Sequence, residues 1–191
     1  MRNTFGIAVC ALLLSSAAFA ERSRPAAPAH GFLQDHNLTI GVDTEASIPL
    51  GNYSDVNSVG AGAFVNAELA LLDTVSATMR LGFEAHVDRA IGTGSSHVNA
   101  LPILVGGKAW LGNERQGMFG LVEMGLFDLM SSISTGAVSA SSNDLKFGMG
   151  AGIGYQQNRW NMRVALYTQD VGNFGSAMLI TGGIGYSFGA L

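Results

Sequence analysis

From Leu38 onward, apolar and polar positions alternate with a period of two. In 38–50 the even positions are Leu38, Ile40, Val42, Thr44, Ala46, Ile48 and Leu50, while the odd ones include Thr39, Gly41, Asp43, Glu45 and Ser47. Successive side chains of a β-strand point to opposite faces, so this run predicts a strand with one apolar and one polar face. The pattern is cleanest in 75–88, where Val75, Ala77, Met79, Leu81, Phe83, Ala85 and Val87 oppose Ser76, Thr78, Arg80, Gly82, Glu84, His86 and Asp88. An amphipathic helix would repeat every 3.6 residues and cannot produce it.

Six further segments follow the same rule: 58–72, 98–111, 117–129, 144–156, 159–169 and 177–188. In 117–129 both faces are mainly apolar, with Glu123 among the inward positions. In 144–156 the face opposite Leu145, Phe147, Met149, Ala151, Ile153 and Tyr155 carries Lys146 and then Gly148, Gly150, Gly152 and Gly154. The inward glycines leave room for the rings of a neighbouring strand that carries Phe119, Leu121 and Phe127 on its inward face. Trp110 breaks the pattern, since strict alternation points it inward.

Eight strands result, each near or above the ~9–11 residues of a tilted transmembrane strand. Their connections alternate in length. Residues 51–57, 89–97, 130–143 and 170–176 form longer polar links, whereas 73–74, 112–116 and 157–158 are short. Short turns at one end, long loops at the other and an even strand count predict an up-and-down antiparallel barrel with both termini in the periplasm.

Composition separates a barrel in lipid from a soluble sandwich. Apolar residues make up 48% of the chain and charged ones only 13%. The water-facing side of a soluble sandwich carries many charges, whereas the non-apolar face here is mainly Gly, Ser, Thr and Asn with a few ions, as in a narrow lumen. In lipid every backbone polar group must be paired within the protein, which closure into a barrel achieves.

The start of the chain reads as an export signal. Arg2 precedes the apolar run from Ile7 to Leu14, and Ala18, Phe19 and Ala20 supply a small-x-small cleavage site. The domain expectation is therefore a signal peptide over 1–20, a polar Pro/Ala-containing periplasmic lead-in over 21–36 and a barrel over 37–191. The only cysteine, Cys10, leaves with the signal, so the mature chain has no disulfide. Removing Arg2 from 10 basic residues leaves 9 against 14 acidic ones, a charge of 9 − 14 = −5 without a basic run, which excludes a nucleic-acid partner.

The segments Pro49-Leu-Gly-Asn-Tyr-Ser-Asp55, Leu101-Pro-Ile-Leu-Val-Gly-Gly-Lys108 and Gly183-Ile-Gly-Tyr-Ser-Phe188 resemble the outer-membrane β-barrel domain family, the group of small OmpA-like, OmpX-like and opacity-like barrels. The resemblance spans about 38–188. It implies location in the bacterial outer membrane, contact with outer-membrane lipids and lipopolysaccharide, assembly by the outer-membrane insertion machinery and a monomer with a possible external ligand at its loops. Such barrels commonly finish on an aromatic residue, whereas this chain adds Gly189, Ala190 and Leu191 after Phe188.

Candidate chemistry lies on the inward face. Counted from the short turns, Glu68, Arg80, Lys108, Glu123 and Arg163 share one level, with Glu84 also inward, and are expected to form a charge network that plugs the lumen. The expected pairing is Arg163 with Glu123 across the glycine wall, with Arg80 or Lys108 as substitutes should barrel shear shift the levels. On the outward face Tyr155, Trp160, Tyr186 and Phe188 fall at one level and are expected to form an interfacial aromatic girdle.

The histidines show no metal-ligand spacing: His30 and His36 lie in the lead-in, His86 points inward and His97 is in a link. Ser96, His97 and Asp88 superficially suggest a hydrolase triad, but loop composition explains them better, and no cofactor is implied. The leading expectation is a non-enzymatic structural or surface-interaction barrel. A narrow small-solute channel and an outer-membrane lipid-modifying enzyme are the alternatives.

Overall fold

The computed structural model describes residues 38–112, 115–135 and 138–190. The expected signal peptide and lead-in lie outside the described residues. Nine strands run in order: β1 Leu38–Leu50, β2 Gly60–Leu72, β3 Val75–His86, β4 Arg89–Ile91, β5 Gly94–Trp110, β6 Gly117–Thr135, β7 Val138–Gln157, β8 Trp160–Thr168 and β9 Met178–Ala190. Each pairs antiparallel with its neighbour, β1 pairs with β9, and β3 pairs with β5. Eight strands thus close into a meander barrel, with the three-residue β4 added beside β5. Closure leaves no free sheet edge around the ring.

The alternation read from the sequence gives the correct faces. Asp43, Glu45 and Ser47 of β1, Arg80 and Glu84 of β3, and Arg163 and Tyr167 of β8 are buried in the lumen. Val42, Ile48, Leu81, Phe83, Ile103, Val105, Val164 and Leu166 are exposed on the outer wall. On β5 the outward face is apolar from Leu101 to Leu111, and on β7 from Leu145 to Tyr155. At about 3.3 Å per residue and the tilt of about 40° usual for such barrels, these spans rise about 25 Å.

Two of the expected links are strands. Residues 130–135 and 138–143 continue the β6–β7 ladder, with Met130 opposite Asn143 and Thr135 opposite Val138, so these strands reach 19 and 20 residues. Likewise 89–97 folds as β4 and the start of β5. The reason is chemical. The outward face turns polar above Leu101 and Leu145, through His97, Asn99, Ser132, Ser141 and Asn143, so these stretches lack the apolar alternation that marks the rest. They form a sheet that stands above the apolar belt at the end carrying the long connections, here called the loop end. The opposite end, with the tight turns and the paired Thr39 and Ala190, is the turn end.

Candidate functional site

At mid-barrel, Arg80 of β3 collects three carboxylates. Its Nε donates to Asp43 Oδ2 at 3.2 Å, Nη2 to Glu45 Oε2 at 3.0 Å and Nη1 to Glu123 Oε2 at 3.1 Å. The guanidinium lies 4.0 Å over the Phe64 ring, and Nη1 also reaches the Tyr167 hydroxyl at 3.4 Å. Tyr167 in turn donates to Glu123. A planar, always charged group with five donors suits this position, because a buried carboxylate without a partner costs several kcal/mol, roughly.

Arg163 joins the same knot from β8, with Nη2 3.1 Å from Glu45 Oε2 and 3.2 Å from Asp43 Oδ2. The expected pair of Arg163 with Glu123 does not form, and Arg80 takes its place. Inclined strands and barrel shear move residues of equal count to different heights, so a level counted from the turns misjudges partners across the lumen. Asp43, Glu45 and Tyr167 complete the knot although the sequence reading did not place them in it. All three fall on the inward parity of their strands, the two acids on β1 and Tyr167 on β8, but parity does not disclose partners.

Toward the turn end, Lys108 Nζ donates to Glu68 Oε2 at 3.0 Å and to Gln156 Oε1 at 2.5 Å. Its ammonium also sits 4.5 Å from the Trp110 centroid and 4.2 Å from that of Phe119. Trp110 therefore points inward because it and Phe119, ring centroids 6.1 Å apart, wall in the lysine. Between this pair and the Arg80 knot lies a cavity of about 40 Å³ bordered by Asn66, Thr78, Asn161 and Ser187. That is room for a few waters.

Toward the loop end the lumen is filled by Tyr53, Val98, Ala100, Leu104, Phe127, Leu129, Ala165, Tyr167 and Leu179. The mouth is capped by the link between β1 and β2, whose 3-10 turn Gly51–Asp55 turns the Tyr53 ring inward. Burial, and then the Glu84 carboxylate, push the Tyr53 hydroxyl above its ordinary range. Asn57 fixes this cap: its side chain donates to Val98 O at 3.2 Å and accepts from Val98 N at 2.6 Å. Glu84 lies beside His86 and Gln169 rather than a cationic partner.

The glycine wall of β7 makes space for Phe119 and Phe127 as expected, with Tyr167 as the third occupant in place of Leu121. Phe119 lies against Gly154, Phe127 against Gly148 and Tyr167 against Gly150, while Gly152 faces Ala165 and the Val164 carbonyl. On the outer wall Trp160 and Tyr186 pack edge to face at 4.8 Å, and Tyr186 and Phe188 at 5.6 Å. With Tyr155 they occupy the turn end of β7, β8 and β9. The outward positions at that end of the other strands include Leu38, Ile40, Leu69, Leu71 and Leu111, so the aromatic band is one-sided.

Of the superficial triad, His97 Nδ1 lies 2.6 Å from Asp88 Oδ1 on the exposed loop-end sheet. Ser96 is buried with its side chain on the opposite face, so the three do not assemble.

No protein-family model and no curated protein matches the sequence. Among solved structures the barrel is similar to Ail, the attachment invasion locus protein of Yersinia pestis, with TM-score 0.56 and 10% identity over 80% of this chain and 97% of that one. The same protein in complex with the heparin analogue sucrose octasulfate gives TM-score 0.54 and 11% identity over 80% and 97%. The N-terminal β-barrel domain of Pseudomonas aeruginosa OprF gives 0.52 and 13% identity over 78% and 97%. The fold is that of small outer-membrane β-barrels.

Proposed function

We propose that the protein is an integral barrel of the bacterial outer membrane, exported by its N-terminal signal, with a structural or surface-interaction role and no catalysis. The observation that carries this reading is the pairing of an outer wall apolar over a membrane's thickness with a lumen that holds the Arg80 knot at mid-barrel and apolar side chains toward the loop end. The shared lumen charges and the loop-end apolar cluster close the barrel to solutes in this reading. In this reading the termini are periplasmic, and the loop end and its raised sheet face outward. The belt contacts lipid and the acyl chains of lipopolysaccharide, Tyr155, Trp160, Tyr186 and Phe188 sit at the inner interface, and the insertion machinery reads Phe188 internally. The barrel works as a monomer.

The chemistry of an external ligand is constrained by charge. The described loop end carries Asp55, Asp88, Asp128, Asp144 and Asp170 against Arg89 and Lys146. A neutral or cationic partner therefore fits, in contrast to the sulfated analogue held by the Yersinia protein. Folding into phospholipid vesicles tests the reading. The protein is expected to give a β-type circular dichroism spectrum, to resist extraction by carbonate and to migrate faster unheated than boiled on a gel. A soluble monomer without detergent or lipid would overturn it.

A further inference from the structure

Between the Arg80 knot and the loop-end cap, several buried polar atoms find no hydrogen-bond partner within the protein: Tyr53 OH, Glu84 Oε1, His86 Nδ1, Gln169 Oε1 and Thr181 Oγ1. All five residues are more than nine-tenths buried. They are close together. Glu84 Oε1 lies 3.5 Å from His86 Nε2, and Gln169 Nε2 donates to the other carboxylate oxygen at 3.4 Å. The Tyr53 ring packs edge-on to His86 at 5.9 Å. Thr181 stands opposite Ser47, whose hydroxyl is 3.3 Å from His86 Nε2. Buried polar groups are ordinarily satisfied, so such a concentration points to an occupant.

Charge supplies an independent argument. Apart from the Lys108–Glu68 pair, the buried lumen charges among the described residues are Asp43, Glu45, Glu84 and Glu123 against Arg80 and Arg163. Both guanidiniums are engaged by Asp43, Glu45 and Glu123, and neither makes an ion pair with Glu84. A buried carboxylate that stays ionised needs a positive charge close by, and the one basic neighbour at this carboxylate among the described residues is the His86 ring, 3.5 Å away.

We propose that this cluster binds one small monovalent cation of the sodium class, held by Glu84 Oε1, the Gln169 amide oxygen and the hydroxyls of Tyr53 and Thr181. Carboxylate, amide and hydroxyl oxygens are donors for a hard cation, and a single carboxylate among neutral oxygens matches one positive charge rather than two. Because Tyr53 belongs to the cap, Glu84 and Thr181 belong to the barrel wall and Gln169 directly follows β8, the bound cation fastens the cap over the lumen.

The test uses the whole protein folded in phospholipid vesicles. Its urea midpoint is followed by unheated gel mobility while sodium replaces N-methylglucamine at fixed ionic strength and pH. The midpoint is expected to rise saturably with sodium, as it does for any ligand that binds only the folded state. Glu84→Gln should flatten the response, and Thr181→Val, which keeps every charge, should move half-saturation to higher sodium. A midpoint indifferent to the exchange would mean that water fills the cluster and would overturn the proposal. A response to calcium or to pH alone, without one to sodium, would overturn it equally. Should Glu84→Gln not fold, the parent titration and Thr181→Val decide the matter.

Discussion

Arg80 organises the lumen because one planar group bonds three acids and stacks on Phe64 at once. Arg80→Ala would leave Glu123 buried without a cation, while Asp43 and Glu45 keep Arg163, and breaking such a network typically costs ~3–5 kcal/mol. A double-mutant cycle in urea should give strong coupling between Arg80 and Glu123, and next to none between Arg163 and Glu123. Strong Arg163–Glu123 coupling would mean that the register of β8 against β6 across the lumen is wrong.

Glycine positions are equally specific. The Tyr167 ring lies against Gly150, so Gly150→Val should overpack the lumen at a cost of ~1–3 kcal/mol, read as a lowered urea midpoint. Gly82 belongs to the same class, because Phe64 covers it. At this scale the sequence disclosed which residues face inward, since parity needs only the strand's own period. It did not disclose partners, which depend on shear between strands far apart in sequence.

At the scale of the element, alternation was legible wherever one face met lipid. Leu81 is exposed mid-strand on the outer wall, and Leu81→Arg should destabilise the folded barrel by ~2–4 kcal/mol. Ser141→Arg, on the raised sheet above the belt, should cost almost nothing in the same vesicle titration. Equal losses would place the membrane at the wrong height. The strand ends at 130–135 and 138–143 were hidden for the reason that makes Ser141 tolerant, since both of their faces meet water and no apolar period marks them.

The cap is a second element that the sequence left as a polar link. Asn57→Ala removes both bonds to Val98 and leaves a buried N–H and C=O unpaired, a loss of ~1–3 kcal/mol. Protease added to intact vesicles should then cut within 51–59 faster than in the parent. Unchanged cleavage would mean that Tyr53 alone holds the cap.

For the whole molecule, strand count, meander order and closure followed from eight alternating runs and seven connections of unequal length. The fill of the lumen did not. Beyond Phe119 and Phe127, which the sequence set against the glycine wall, Phe64, Tyr167 and Leu179 also lie inward, among glycines and small polar residues. Trp110 was the visible hint, and it proved to wall in Lys108 with Phe119. An eight-stranded ring is just wide enough for such side chains, so packing rather than diameter decides whether anything passes. The central claim of a closed, packed barrel is tested most directly by conductance of the refolded protein in a planar bilayer. The account predicts confirmed insertion with no unitary current at moderate voltage in either polarity. Stable, reproducible single-channel steps from the unmodified protein would contradict it.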